Sequence, residues 1–431
     1  MMLIVWVIAG GLGMMGSLCY CELGGILKVA GGNYVNILKV YGRLPGFLCA
    51  WATCLVIDPS TLSAIGLTIG KYLSKPFYGN DNDGETAAKV IAFVVILMAL
   101  FVNCLSSVVV NHVQRVLAVM QVSSVLFLIA VGIYQLTQNT YDNFHDVFNG
   151  THFSSKDLVQ LGLATFGALW SYDGWSCMNN VIEEMKNVKR DLLLTVVTAF
   201  PFVIVCYILA NLALLTLLSR QQMAASDAVA IDFVSTSVNK KASYVMMTLV
   251  GLAAYGTLNG TLFAVPRLTL AAAREGHMPK FLSFIHAQTR APVPAAILSS
   301  VIGILMLMPK ASDLDSLILM FSQAQWVIYG ASIFGVIVLR IRQPNVDRPY
   351  KVFILFPVIM TLVAIILVVM PFFEKPLLSL ALFSFILAGI PVYVIFLHYQ
   401  QKLPKAVAAA TEGFCNKLEH LGLTPCQVND L

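Results

Sequence analysis

Within one otherwise apolar stretch the chain reads Leu169-Trp170-Ser171-Tyr172-Asp173-Gly174-Trp175-Ser176, and the acidic pair Glu183-Glu184 follows shortly after. A carboxylate in hydrocarbon costs several kcal/mol unless a cavity, a partner or a bound ligand compensates it. The pattern reads as a helix broken at mid-membrane, where freed carbonyls and amides can hold α-amino and α-carboxylate groups. Trp170, Tyr172 and Trp175 supply aromatic walls, and Asp173 could pair with a cationic side chain or a proton. A glycine kink packed through small residues against another helix is the competing account.

Other polar residues sit in apolar surroundings. Asp58-Pro59-Ser60-Thr61 interrupts a second stretch: proline removes a backbone donor, and Asp58 must pair, titrate or face water. A kink whose carbonyls are satisfied by neighbouring hydroxyls explains the segment equally well. In Tyr255-Gly256-Thr257-Leu258-Asn259-Gly260-Thr261, the Gly256/Gly260 pair suits close helix packing, while Asn259 is a candidate for lining a cavity. Phe321-Ser322-Gln323-Ala324-Gln325-Trp326 offers Gln325 as a pocket residue and Gln323 as interhelical glue. Charged loops at Glu183-Glu184, Arg274-Glu275 and Arg348-Pro349-Tyr350-Lys351 could form an inside gate or simply cap helices.

The elements that must position these residues are membrane helices. Of 431 residues, 58% are hydrophobic and 11% charged, with a mean hydropathy of +0.81, outside the range of soluble domains. Apolar runs near the roughly 20 residues that span hydrocarbon occur at 3–20, 46–70, 88–110, 116–136, 158–178, 192–218, 243–273, 293–308, 317–339, 352–373 and 377–398, about eleven helices. No run shows the period-two alternation of a membrane barrel. Lys and Arg favour alternate loops by roughly two to one, which places the tail at 399–431 in the cytoplasm. With an odd number of spans Met1 would then lie outside, yet Met1-Met2-Leu3-Ile4 enters the membrane at once, so a preceding helix is expected.

Several function classes lack their motifs. No glycine-rich loop ends in Lys-Ser or Lys-Thr, the histidines show no paired zinc spacing, and no second Gly-x-Gly-Asp completes an aspartyl dyad. The reading is therefore a non-enzyme with no cofactor, metal or nucleic-acid partner. Seven cysteines fall in or beside spans and Cys415 and Cys426 lie on the tail, so no disulfide framework is expected. The sequon Asn149-Gly150-Thr151 sits in a loop placed outside and is a glycosylation candidate.

With these residues laid out, the chain closely resembles the light chains of heteromeric amino-acid transporters, a branch of the amino acid–polyamine–organocation superfamily. The resemblance rests on Cys19-Tyr20-Cys21-Glu22-Leu23-Gly24, Gly31-Gly32-Asn33-Tyr34, Val40-Tyr41-Gly42-Arg43-Leu44-Pro45, Tyr172-Asp173-Gly174-Trp175, Asn259-Gly260, Arg274-Glu275-Gly276-His277 and Arg348-Pro349-Tyr350-Lys351-Val352. It implies an all-α polytopic membrane protein with an inverted five-plus-five helix repeat and broken helices at the substrate site, beginning here at the family's second helix. It further implies a transmembrane domain over 1–398 and sodium-independent exchange of neutral and cationic L-amino acids at the plasma membrane. The Tyr172-Asp173-Gly174-Trp175 form looks most like the type that exchanges dibasic amino acids and cystine. By resemblance Trp170 is the aromatic gate, Ser171, Asp173 and Ser176 line the pocket, and Asn259, Phe321 and Gln325 face it. Ser176 and Gln325 depart from common family choices. Asp81 falls near the position of the family's heavy-chain cysteine, implying at most a noncovalent single-span glycoprotein partner. Gln121 falls near a frequent family lysine. A non-transporting subunit or amino-acid sensor of the same fold is the alternative.

Overall fold

In hydrocarbon every backbone N–H and C=O must be bonded within the segment, so apolar runs of this length fold as helices. A computed structural model describes residues 2–27, 29, 31–78, 82–105, 107–138, 155–180, 182, 185, 187–226, 228–238, 240–308, 314–400, 413, 415–420 and 422–425. The order is α1 (Met2–Leu27), α2 (Gly32–Tyr41), α3 (Arg43–Ala52), a π-helical turn (Thr53–Ile57), α4 (Asp58–Tyr78), α5 (Asn82–Leu105), α6 (Ser107–Thr137) and α7 (Ser155–Ser171). A 3₁₀ turn (Trp175–Asn180) leads to α8 (Val188–Leu215), α9 (Arg220–Ala225), α10 (Val229–Ser237), α11 (Lys240–Arg274), β1 (Phe284–His286) and α12 (Val293–Leu307). The chain closes with α13 (Leu314–Arg342), α14 (Leu355–Val369), α15 (Pro371–Glu374), α16 (Pro376–Gln400) and β2 (Leu423–Pro425).

Among the described residues, nine helices are long and apolar enough to cross a membrane. With the shorter α7 and α12, they account for every apolar run read from the sequence. One run is divided against expectation. The third run stops as a helix at Leu105 and a new helix starts at Ser107, so 107–110 belong to α6. The fifth run ends as a helix at Ser171, where the sequence pattern placed the break. Asn149, Asp81, Glu183 and Glu184 lie outside the described residues.

Small residues set the close helix contacts, as expected where lipid removes the hydrophobic drive for packing. A Cβ at Gly10 would collide with Ile204 on α8, one at Gly13 would lie 2.9 Å from Phe200, and one at Gly70 would collide with the Ala88 carbonyl on α5. Large apolar side chains such as Phe101, Val119, Leu362 and Ile365 point outward. One buried core joins Tyr20 and Leu23 of α1 to Tyr172, Trp175, Tyr329 and Ile333. A second surrounds the π turn with Tyr34, Val35, Leu268 and Phe321.

A buried ion cluster fastens the end of α1. Glu22, fully buried, accepts from Arg340 Nε at 2.9 Å, from Arg340 Nη2, and from the Val352 amide at 2.8 Å. Arg348 approaches the same carboxylate at 3.5 Å. The tail also folds back: Leu423–Pro425 pair antiparallel with Phe284–His286, and Cys415 and Leu423 cover Phe284.

Candidate functional site

The break begins where the α7 ladder tightens: the Tyr172 amide donates to Leu169 O at 3.2 Å and the Asp173 amide to Trp170 O at 3.1 Å. Gly174 then takes φ +99°, a region that glycine enters without Cβ strain. A Cβ there would meet no atom within 4 Å, so the constraint is conformational and not one of space. The 3₁₀ turn at Trp175–Asn180 resumes the path. Tyr207 on α8 donates to the freed Ser171 carbonyl at 2.8 Å, holding the unwound end in place.

Asp173 is not left bare. Its Oδ1 accepts from the Tyr329 hydroxyl at 2.6 Å, and that hydroxyl lies 2.9 Å from Ser176 Oγ. The Tyr329 ring lies tilted at 4.4 Å from Trp175, which also meets Tyr20 at 4.9 Å. Tyr329 escaped the sequence reading. Its spacing carried the signal, because Phe321, Gln325 and Tyr329 follow one another at four-residue intervals on one face of α13.

A cavity of about 690 Å³ opens beside the break, within the range of small-molecule sites. Trp170, Ser171, Asp173, Gly174, Ser176, Phe321 and Gln325 all line it, joined by Asp58, Gln121 and Tyr329. Tyr172 and Trp175 turn to the opposite face and line a second cavity of about 320 Å³. Tyr172 packs against Trp6 at 5.9 Å and Tyr207 at 5.0 Å. Ser171, Asp173 and Gly174 border both spaces, so the unwound segment is the wall between them.

Asn259 lies elsewhere. Fully buried, it accepts from Asn103 of α5 at 2.9 Å and donates to Gln114 of α6 at 2.9 Å. Gly256 and Gly260 make room for this packing: a Cβ at either would lie 3.1 Å from the Gln121 or Gln114 amide nitrogen. Gln121 reaches the cavity and donates to Ala253 O at 2.9 Å and Thr257 Oγ1 at 3.0 Å. Gln323 donates to Val368 O at 3.0 Å, bridging α13 to α14.

Asp58 sits where the π turn meets α4, a kind of irregularity frequent at functional positions. The hydroxyls that follow it serve carbonyls: Ser60 bonds Val56 O at 2.6 Å, Thr61 bonds Ile57 O at 2.7 Å, and Ser63 lies 2.6 Å from Gly303 O on α12. Below the helices, His277 Nδ1 pairs with the Tyr34 hydroxyl at 2.9 Å. Burial, then the nearby Arg43 charge, holds its imidazole pKa below the ordinary value. Arg348 donates to carbonyls such as Gln343 O at 2.7 Å. No group of three His, Cys, Asp or Glu suited to a metal ion occurs among the described residues.

A family model described as amino acid permease matches residues 1–397. The chain belongs to the amino acid permease family. It is 35% identical over 410 residues to the human b(0,+)-type amino acid transporter 1, covering 94% of this chain and 83% of that one. It is 33% identical over 402 residues to the human cystine/glutamate transporter, covering 93% and 79%. With the human large neutral amino acids transporter small subunit 2 it shares 32% over 400 residues, covering 93% and 74%. The permease is thus a multi-pass, all-α membrane protein.

Proposed function

We propose that this permease exchanges neutral and cationic L-amino acids across the plasma membrane by alternating access, one bundle of an inverted five-plus-five repeat rocking against the other. The observation that carries the reading is the unwinding of α7 at Asp173–Gly174 on the wall of a cavity of about 690 Å³. Free backbone ends there hold the amino-acid head, Trp170 closes over it, and Ser171, Ser176, Phe321 and Gln325 complete the lining. Trp175 backs the wall from the far side through Tyr329, and Asn259 fastens the helices behind it. The chemistry is recognition without bond making, in keeping with relatives that are named as transporters. Those names also disfavour a non-transporting sensor of the same fold.

The test is uptake of labelled leucine or arginine into proteoliposomes preloaded with unlabelled amino acid. Uptake driven by the internal amino acid supports exchange, and uptake no greater than in protein-free vesicles refutes it. One relative is named as a small subunit, which supports a heavy-chain partner. With Asp81 near the family's cysteine position, that partner is held noncovalently, the tail faces the cytoplasm and Asn149 carries glycan outside. A cell-surface complex that loses mass only on reduction would overturn the noncovalent assignment.

A further inference from the structure

The large cavity has carboxyl groups in its wall and no basic side chain. Asp58 and Asp173 both line it, and no Lys, Arg or His is among its lining residues. The two carboxylates differ in how far they are satisfied. Asp173 is held by the Tyr329 hydroxyl at 2.6 Å. Asp58 is only 4% exposed, and its Oδ2 has no hydrogen-bond partner among the described residues. The hydroxyls of Ser60, Thr61 and Ser63, close to it in sequence, all point at backbone carbonyls.

A buried acceptor without a donor is unfavourable, and more so when charged. The arrangement is resolved when a donor enters the cavity, and a cation resolves it best. We propose that Asp58 is the residue that selects a cationic side chain, so that the preferred substrate class of the cavity is the basic L-amino acids, with an ammonium or guanidinium group at the side-chain end. Asp173, tied to Tyr329 at the helix break, orients the amino-acid head end instead. The division of labour follows from position. Asp173 stands beside the freed backbone of α7, and Asp58 stands on a different wall, at the start of α4. This rests on the exchanger reading and deepens it by naming the substrate class and the residue that chooses it.

Arginine and citrulline provide a test that needs no substitution, since they match in shape and differ in charge. In the proteoliposome assay, unlabelled arginine should compete with labelled leucine at least tenfold better than citrulline does. In Asp58→Asn the arginine-to-leucine selectivity ratio should fall at least tenfold, and Asp58→Glu should recover most of it. Binding is read separately as the rise in unfolding temperature of the detergent-purified chain on adding arginine or citrulline.

Equal competition by arginine and citrulline, or parallel loss of arginine and leucine uptake in Asp58→Asn, overturns the proposal while the exchanger reading stands. Loss of arginine preference in Asp173→Asn with its retention in Asp58→Asn names Asp173 as selector and likewise overturns it. A changed pH profile with unchanged selectivity makes Asp58 a proton carrier instead. If the unaltered chain moves no amino acid yet is stabilised by arginine and not citrulline, in an Asp58-dependent way, the exchange reading fails and the assignment of Asp58 holds. Absence of both exchange and stabilisation removes both.

Discussion

Glu22→Gln tests the ion cluster that closes the end of α1. The substitution keeps the side chain's shape and one oxygen, but it removes the charge and turns an NH₂ group toward donors. Arg340 Nη2 and the Val352 amide both bond Oε2 in the native chain. The Arg340 side chain is 14% exposed and would keep its guanidinium charge with Arg348 still nearby. Breaking a buried pair from one side costs about 3–5 kcal/mol, chiefly because the partner charge stays buried. An unfolding entropy of about 2.1 cal/mol/K per residue scales to about 0.9 kcal/mol/K for a chain of this length, so Tm should drop by about 3–6 °C. Cys19 and Cys21 are free and buried within one turn of Glu22, so in a chain whose other cysteines are replaced by serine a thiol-reactive fluorophore reports the opening of this region on heating. The double substitution Glu22→Met with Arg340→Met should regain much of the loss, because it removes the charge orphaned at Arg340 and leaves Arg348 to the Leu339 and Gln343 carbonyls it already bonds. A drop under about 1 °C in the single variant, or a double variant whose loss is the sum of the two, would refute the reasoning.

Three further outcomes are expected. Tyr329→Phe strips the donor from Asp173, a charge-assisted hydrogen bond worth about 1.5–3 kcal/mol, and should raise the KM for leucine exchange by about tenfold; a change under twofold would count against the orienting role. His277 is harder to protonate in the fold than in the unfolded chain, so the unfolded chain takes up its proton at higher pH, and stability falls as pH drops through the ordinary imidazole range near about 6.5. Tm should therefore decline between about pH 7.5 and about pH 5, less steeply in His277→Gln; identical slopes would show that other groups set the acid response. Gly174→Ala forces an L side chain into a positive-φ conformation at a cost of about 1–3 kcal/mol, so it should lower Tm and exchange together, and an unchanged variant would mean that the break relaxes freely.

The helices and the break were legible in the sequence because hydrocarbon allows so few solutions: an apolar run is a helix, and Asp173 beside Gly174 in such a run demands a reason. Seven of the ten residues read as binding candidates line the one cavity, a placement that leaves their role to experiment. What stayed hidden depends on rotation about a helix axis or on distant partners. Asn259 is as polar as a pocket residue but faces Asn103 and Gln114, and nothing in its own segment shows which way it turns. Tyr172 and Trp175 differ from Asp173 only by position around the unwound turn. Glu22 and Arg340 lie 318 residues apart in the chain, so no local pattern joins them. The end at Leu105 was missed because hydropathy averages over polar residues that decide where a helix stops.

The pairing of Leu423–Pro425 with Phe284–His286 bears on how the permease should be handled in the laboratory. Phe284 is 1% exposed because the returning tail covers it. Trimming the chain after α16 would strip that cover and leave an adhesive apolar spot on the link between α11 and α12. A fluorophore fused beyond Pro425, by contrast, would ride on that link and not on α16, the helix that precedes it in the chain. Its movement would report on the middle of the protein from the far end of the polypeptide.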